Sequence, residues 1–410
     1  MVYVINANNT PLMPTINVIA RLLLKQKKAK VIKTCPFTIK LKYMTSEYVQ
    51  EATLGIDTGS GKIGSAVVSN NQVVYQTETE IRNEITDKMS QRSKYRRNRR
   101  NRKTRYRKAR WLNRKNSIKK DRFSPTMVSK INSHIKEIEY VKSILPISRI
   151  IIETGDFDPH ALKNPSVLNN KWLYQKGINY GFANTKAYVL DRDKYTCQHC
   201  KNKSKDNRLE VHHIIFRSQN GSDDESNLIV LCKSCHDSLH EGKLQLKKKG
   251  KIKTQLKHAT QMNSIRVQLM KIYNQAIETF GFVTKEHRQI AGLSKTHCND
   301  AVSIASQGEK VKLLDSVIYK KCVSKGDYQQ TKGIRSEQKI PTGKIQGFKK
   351  FDKVEYLNKL YFIKGRMSTG YAILMNVFGK KQVLKPIPKF SKMIRVSARS
   401  GQIVAIHPAT

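Results

Sequence analysis

Two pairs of cysteines, Cys197/Cys200 and Cys232/Cys235, repeat a C-x-x-C spacing with 31 residues between them. Four thiolates so placed can close around one tetrahedral ion, and zinc is the metal such a set favours. An ion of this kind clips together a segment whose apolar core is too meagre to fold by itself. Cys35, Cys298 and Cys322 are scattered and read as packing residues, and His199, inside the first knuckle, reads as a bystander. The pattern suits a reducing compartment and not a disulfide framework. Five of the 11 histidines fall between 197 and 240. His236-x-x-x-His240 follows the second knuckle directly, and residues four apart on a helix share a face, so both imidazoles can reach one ion. Upstream, His212 and His213 stand side by side on a short predicted strand, with Asn227 between them and the second knuckle.

A second set is acidic. LGIDTGSGKIG places Asp57 at the end of an apolar strand, before glycines that allow a phosphate to come close. IIIETGDF places Glu153 at the end of another apolar strand, and HCNDAVSIA places Asp300 on a helix with His297 one turn earlier. Each alone is a weak signal, because a strand-end carboxylate ordinarily shapes a turn. Asp156 and Asp158 read as loop residues.

The elements that must carry these groups follow from periodicity. The sequence predicts a small α/β unit over 1–50: YVIN a strand, NTPLMPT a turn, NVIARLLLKQKKAKVI a helix running into an extended segment, and PFTIKLKY a strand. Three consecutive strands with Gly and Asn turns are predicted over 52–80. VSKINSHIKEIEYVKSILP reads as an amphipathic helix before the buried strand SRIIIETGDF, and 262–282 and HCNDAVSIASQ read as helices. Beyond about 340 short strands predict a small barrel.

Charge narrows the partners. Lys and Arg number 78 against 31 Asp and Glu, a formal net charge of +47 over 410 residues. Self-repulsion on that scale calls for a polyanion. No run reaches the ~18 apolar residues of a spanning helix, and MVYVINANNTPLMP has no signal-peptide pattern. A soluble protein of the prokaryotic cytoplasm, without a membrane partner, is the expectation. From Lys88 to Lys120 there is no acidic residue. Arg and Lys are good helix formers, and a helix of about 30 residues would run ~45 Å. Basic on every face, it has no protein core to enter. A disordered basic tail is the alternative, but the mid-chain position and the interleaved Tyr95, Tyr106 and Trp111 favour a helix ordered against nucleic acid. Its expected contacts are Arg96, Arg97, Arg99, Arg100, Arg102, Arg105, Tyr106, Arg107, Arg110 and Trp111.

The order CxxC, HH, N, CxxCHxxxH resembles the HNH nuclease family, whose fold is a ββα-metal finger. The resemblance implies His212 as a metal ligand, His213 as general base, Asn227 as the brace that orients the base, and His236 as a further ligand. His240 is either a ligand or a supporting neighbour of one. Strand-Asp, strand-Glu and His-x-x-Asp, in that order, resemble the RuvC nucleases with their RNase H-like fold. By that resemblance Asp57, Glu153 and Asp300 would hold two Mg²⁺ ions, with His297 as base or water-positioner. The histidine cluster would hold Mg²⁺ and the cysteines a structural Zn²⁺, ligand type sorting the metals.

The HNH-like module lies between the second and third RuvC-like motifs, and the arginine run between the first and second. With Pro-Leu-Met-Pro at 11–14, this order resembles the IscB family of transposon-encoded RNA-guided nucleases, relatives of the type II CRISPR effectors. The implied fold is a multidomain α/β protein with a RuvC domain in three segments. Its parts would be an N-terminal PLMP domain at 1–50, RuvC segment I at 51–90, an arginine-rich bridge helix at 91–122 and RuvC segment II at 123–184. The HNH domain would follow at 185–245, RuvC segment III at 246–320, and a β-rich domain contacting a target-adjacent motif at 321–410. Arg366, Lys380 and Arg395 are candidates among many basic residues there. The implied function is RNA-guided double-strand cutting of DNA by a monomeric protein bound to a structured guide RNA, HNH cutting the guide-paired strand and RuvC the displaced one. An unguided, resolvase-like endonuclease and a non-catalytic zinc-containing RNA-binding protein are the competing expectations.

Overall fold

The computed structural model describes residues 1–101, 123–201, 203, 206–219, 221–246, 250, 256–324 and 343–408. The chain divides into two compact units, one formed by Met1–Asp156 with Gln261–Thr410 and the other by Phe157–Thr260.

The first unit opens with β1 (Val2–Ile5), β2 (Pro11–Thr15), α1 (Asn17–Lys25), β3 (Ala29–Thr34) and β4 (Phe37–Leu41). Its four strands lie in the order β2-β1-β4-β3, and Val2, Val4, Ala20, Ile39 and Leu41 share a core. The Pro-Leu-Met-Pro run, expected as a turn, is a strand. It sits at the sheet edge, where a proline costs no ladder hydrogen bond on its open side. Next come β5 (Thr53–Asp57), β6 (Lys62–Ser69) and β7 (Gln72–Glu80), an antiparallel meander. Asn70 and Asn71 turn the second hairpin at φ +47° and +55°, the left-handed pair that a tight two-residue connection requires. α2 (Ile85–Asn101) carries the start of the basic run, and α3 (Pro125–Lys142) begins at Ser124, whose side chain accepts from Met127 N, with proline in the first turn. β8 (Arg149–Thr154) follows.

The second unit contains α4 (Pro159–Lys163), α5 (Thr185–Arg192), the antiparallel pair β9 (Leu209–His213) and β10 (Leu228–Cys232), and α6 (Lys233–His240). This unit is wider than the 185–245 segment expected for the metal finger. Its core is small: Val189, Leu228 and Val230 pack on one side of the hairpin, and Ile229 and Leu231 pack with the cysteines on the other.

The chain re-enters the first unit within α7 (Leu256–Ile272) and continues through β11 (Ile277–Phe280), α8 (Gly281–Ile290), α9 (His297–Ser306) and β12 (Ser316–Cys322). β13 (Lys353–Tyr356), β14 (Lys359–Arg366), β15 (Ala372–Met375) and β16 (Ile394–Ser397) form a four-stranded sheet, and β17 (Gln402–Pro408) ends the described chain. A seven-stranded sheet, in the order β11-β8-β5-β6-β7-β12-β17, is the backbone of this unit. The segment expected as one C-terminal β domain is therefore shared: β17 pairs with β12 over seven residues and completes the large sheet.

α3 covers one face of this sheet, with Ile131, Ile138 and Val141 in the main core beside Leu54, Ile56, Ile63 and Ile152. Within that core Lys320 donates to both carboxylate oxygens of Glu137 at 2.8 and 3.0 Å, and Ser65 and Tyr75 also donate to Glu137. α9 covers the opposite face through Ala301, Val302 and Ala305. Two glycines set its distance: a Cβ on Gly64 would lie 1.8 Å from His297 O, and one on Gly55 2.3 Å from Ala301 O. Among the described residues no helix is long and apolar enough to cross a membrane.

Candidate metal and catalytic centres

The β9–β10 hairpin and α6 bring three histidines together. Alternation along β9 sends Glu210 and His212 to one face and His213 to the other. His212 is buried, at 4% exposure. Its ring centroid lies 4.9 Å from that of His236 and 5.1 Å from that of His240, and the latter two are 4.6 Å apart. One ligand nitrogen from each lies within 4.8 Å of the others. Burial, then the neighbouring imidazoles, pushes His212 down to a pKa of about 4, which keeps it neutral and able to ligate. His212 Nε2 is buried without a hydrogen-bond partner among the described residues. An orphaned nitrogen facing two further imidazoles fits a cation. Glu210 Oε2 stands 3.0 Å from His236 Nδ1, close in distance though not aligned as a hydrogen bond.

His213 points the other way and meets Asp223: Nε2 to Oδ1 is 2.9 Å. Arg217 Nε donates to the same oxygen at 2.7 Å. With Nε2 carrying the proton shared with Asp223, Nδ1 of His213 is the basic nitrogen. Asn227 is fully buried. Its Oδ1 accepts from Ile215 N at 3.0 Å, and its Nδ2 donates to Ile215 O and Ser222 O at 3.0 and 2.8 Å, tying the loop after His213 to the start of β10.

Cys197, Cys200, Cys232 and Cys235 form the other tight cluster, each with its sulfur within 4.8 Å of the rest. Cys200 Sγ and Cys232 Sγ are 3.7 Å apart. Burial, then the adjacent thiols, drives the Cys235 pKa far up, a repulsion among sulfurs that a bound cation relieves. The donor set could hold zinc. His199, read as a bystander, places Nδ1 3.6 Å from Cys235 Sγ.

The acidic set lies on the large sheet of the first unit. Asp57 and Glu153 are direct partners in the parallel register of β5 and β8, and the glycine-set approach of α9 brings His297 and Asp300 to the same strand ends. His297 Nδ1 lies 2.5 Å from Asp57 Oδ2. Burial raises Asp57, the His297 hydrogen bond opposing it and Asp300 adding to it. Glu153 is pushed up to about 7 by burial and then by the charge of Asp57. Asp300 is raised by burial against the pull of Arg288, whose Nε stands 2.8 Å from Asp300 Oδ1. The three carboxylates feel one another, but their oxygens are not gathered to within 4.8 Å as the two histidine and cysteine clusters are. Arg288 and His297 occupy two of them instead. Asp156 pairs with Arg266, and Asp158 caps α4.

Of the basic run, Arg96 and Arg97 are exposed on α2 and Tyr95 is buried. Arg99 and Arg100 fall in the same helix. Arg102, Arg105, Tyr106, Arg107, Arg110 and Trp111 lie outside the described residues. In the C-terminal part Arg366 donates to backbone carbonyls of Gly343 and Phe348, and Arg395 to Gly347 O. Lys380 is exposed.

Glu210, Asp223 and Arg288 were not singled out by sequence. Glu210 had a signal, since it stands two residues before His212 on the same strand face. Asp223 and Arg288 had none beyond polarity.

Two families match the chain: residues 2–177 match one described as RRXRR protein, and residues 197–242 match one described as HNH endonuclease. Arg96-Arg97-Asn98-Arg99-Arg100 spells the first family's pattern in this chain. The type IV methyl-directed restriction enzyme EcoKMcrA of Escherichia coli K12 is 36% identical over 64 residues, 14% of this chain and 23% of that enzyme, so the chain spans about a quarter of its length. Anaredoxin of Nostoc sp. PCC 7120 is 35% identical over 67 residues, 16% of this chain and 86% of that protein. Among solved structures, Streptococcus thermophilus Cas9 in complex with the AGAA PAM superimposes with a TM-score of 0.33 at 12% identity, covering 62% of this chain and 32% of that one. A superposition that low decides nothing about the fold. The histidine and cysteine geometry and the family match fall on the same segment: residues 197–242 match the HNH endonuclease family, and both ligand clusters lie within them.

Proposed function

We propose that this protein is an RNA-guided DNA endonuclease with two cutting centres, one at His212, His213, Asn227, His236 and His240 and one at Asp57, Glu153, His297 and Asp300. The observation that carries the nuclease reading is the His213–Asp223 pair beside the three converging imidazoles.

In the first centre His212, His236 and His240 would hold a divalent ion, with Mg²⁺ the proposed metal, and the bound ion would stabilise charge developing on the phosphate. Asp223 fixes the tautomer of His213, and Nδ1 takes the proton from the attacking water. Asn227 holds the loop so that this nitrogen keeps its aim. Zinc on the four cysteines would pin β10, α6 and the first knuckle, and so the position of His236 and His240. In the second centre Asp57, Glu153 and Asp300 are the proposed Mg²⁺ ligands, and no step is assigned there beyond the orientation of His297 by Asp57. Asp300 would have to exchange Arg288 for the ion.

Guidance by RNA is supported by the charge of +47, by the RRXRR match that takes in the arginine run, and by the order of the motifs along the chain. The restriction-enzyme relative favours a second reading, an endonuclease that finds DNA without RNA. RNase treatment of the purified protein separates the two. Loss of sequence-specific cleavage is expected, and undiminished cleavage would favour the unguided enzyme.

A further inference from the structure

The segment between α4 and α5 is more aromatic at its surface than a solvated loop needs to be. Trp172, Tyr174 and Tyr180 are 57%, 36% and 62% exposed. Lys176 Nζ lies 5.1 Å from the Trp172 ring centroid and 4.8 Å from that of Tyr180, so one ammonium bridges two rings. Tyr174 is fixed from behind, its hydroxyl on Asp158 and its ring edge-on to His160. Asp158 is the only acidic residue from 157 to 184, against Lys163, Lys171 and Lys176. Large rings held open to water beside cations, with almost no anion, suit a ligand with flat apolar faces and negative charge between them. Bases and phosphates of an unpaired strand have that form, whereas a duplex hides its base faces.

The helix that leads into the segment, α4, is tied to the cutting centre of its own unit. Lys163 Nζ pairs with Asp224 Oδ1 at 2.9 Å, and the preceding residue, Asp223, is the partner of His213. We infer that Trp172 and Tyr180 form a stacking platform for an unpaired DNA strand held at the HNH unit, the strand that the guide displaces, with Lys176 and Lys171 meeting its phosphates. The assignment to DNA rests on the nuclease reading above.

The chain has two tryptophans, so Trp111→Phe leaves Trp172 as the sole one. In that full-length background, with His213→Ala to prevent cleavage and high-salt washing to remove bound nucleic acid, Trp172 fluorescence is followed during titration with a dT oligonucleotide, the equivalent rU oligonucleotide and a DNA duplex. Saturable quenching by dT is expected. Read by the anisotropy of a fluorescein-labelled dT oligonucleotide, Trp172→Ala with Tyr180→Ala should weaken dT binding about ten-fold or more, with duplex affinity and zinc content unchanged, and Trp172→Phe should restore most of it. Absent quenching, or equal losses on strand and duplex, would overturn the platform, and preference for rU would overturn DNA as its occupant. Cleavage by the parent protein, measured in parallel, keeps the two readings apart. Quenching without any cleavage counts against the nuclease, and cleavage without quenching counts against the platform.

Discussion

Asp57 and Glu153 face each other across adjacent parallel strands, one residue directly opposite the other. Burial and the charge of Asp57 together make Glu153 harder to ionise.

The cost should be measurable. Glu153 titrates near 7 in the folded chain against an ordinary 4.5. Between those values the folded state holds a proton that the unfolded chain has lost, so stability falls as pH rises through about 4.5 to 7. Glu153→Gln removes that penalty. Without metal it should melt higher than the parent at pH 8, by a few degrees, and no higher at pH 4. Thermal melts at the two pH values check this, and added Mg²⁺ should narrow the gap at pH 8.

The cysteine cluster should be a folding element of one unit only. Cys232→Ser is expected to lose zinc by atomic absorption and to render 157–260 sensitive to limited proteolysis. The seven-stranded sheet, which draws its core from Leu54, Ile56, Ile63 and Ile152, should survive.

Asp223 should act through His213. Asp223→Asn keeps the shape but can present an amide nitrogen to Nε2, so His213 loses its fixed tautomer. Single-turnover cleavage of the strand assigned to HNH should slow about ten-fold. The strand assigned to the other centre should be cut at the parental rate.

Lys320 and Glu137 are 2% and 1% exposed at the side chain. Glu137→Gln leaves an ammonium buried opposite a neutral amide and should cost about 3–5 kcal/mol in urea unfolding. Adding Lys320→Met removes the stranded charge and should recover much of the loss.

How far the sequence discloses these sites depends on how local each one is. The C-x-x-C pairs and His236-x-x-x-His240 are visible because their geometry is set within a knuckle or one helical turn. The meander over 53–80 is visible because Asn70 and Asn71 mark its tightest turn. Asp223 and Arg288 are not visible, since their roles come from partners 10 and 12 residues away across loops. β17 is hidden for a related reason: a short strand does not say which sheet it joins, and the ladder to β12 spans 80 residues of chain at its nearest rung. The Pro-Leu-Met-Pro run looks like a turn because prolines break ladders, and only its place at a sheet edge makes it a strand.

The central claim is that two separate centres in one chain each cut one DNA strand. Strand-resolved cleavage of a duplex labelled at both 5′ ends, by RNA-loaded parent, Asp57→Ala and His213→Ala proteins, tests it most directly. The parent should cut both strands, Asp57→Ala only the guide-paired strand and His213→Ala only the displaced one. Cutting of both strands by either variant would contradict the account.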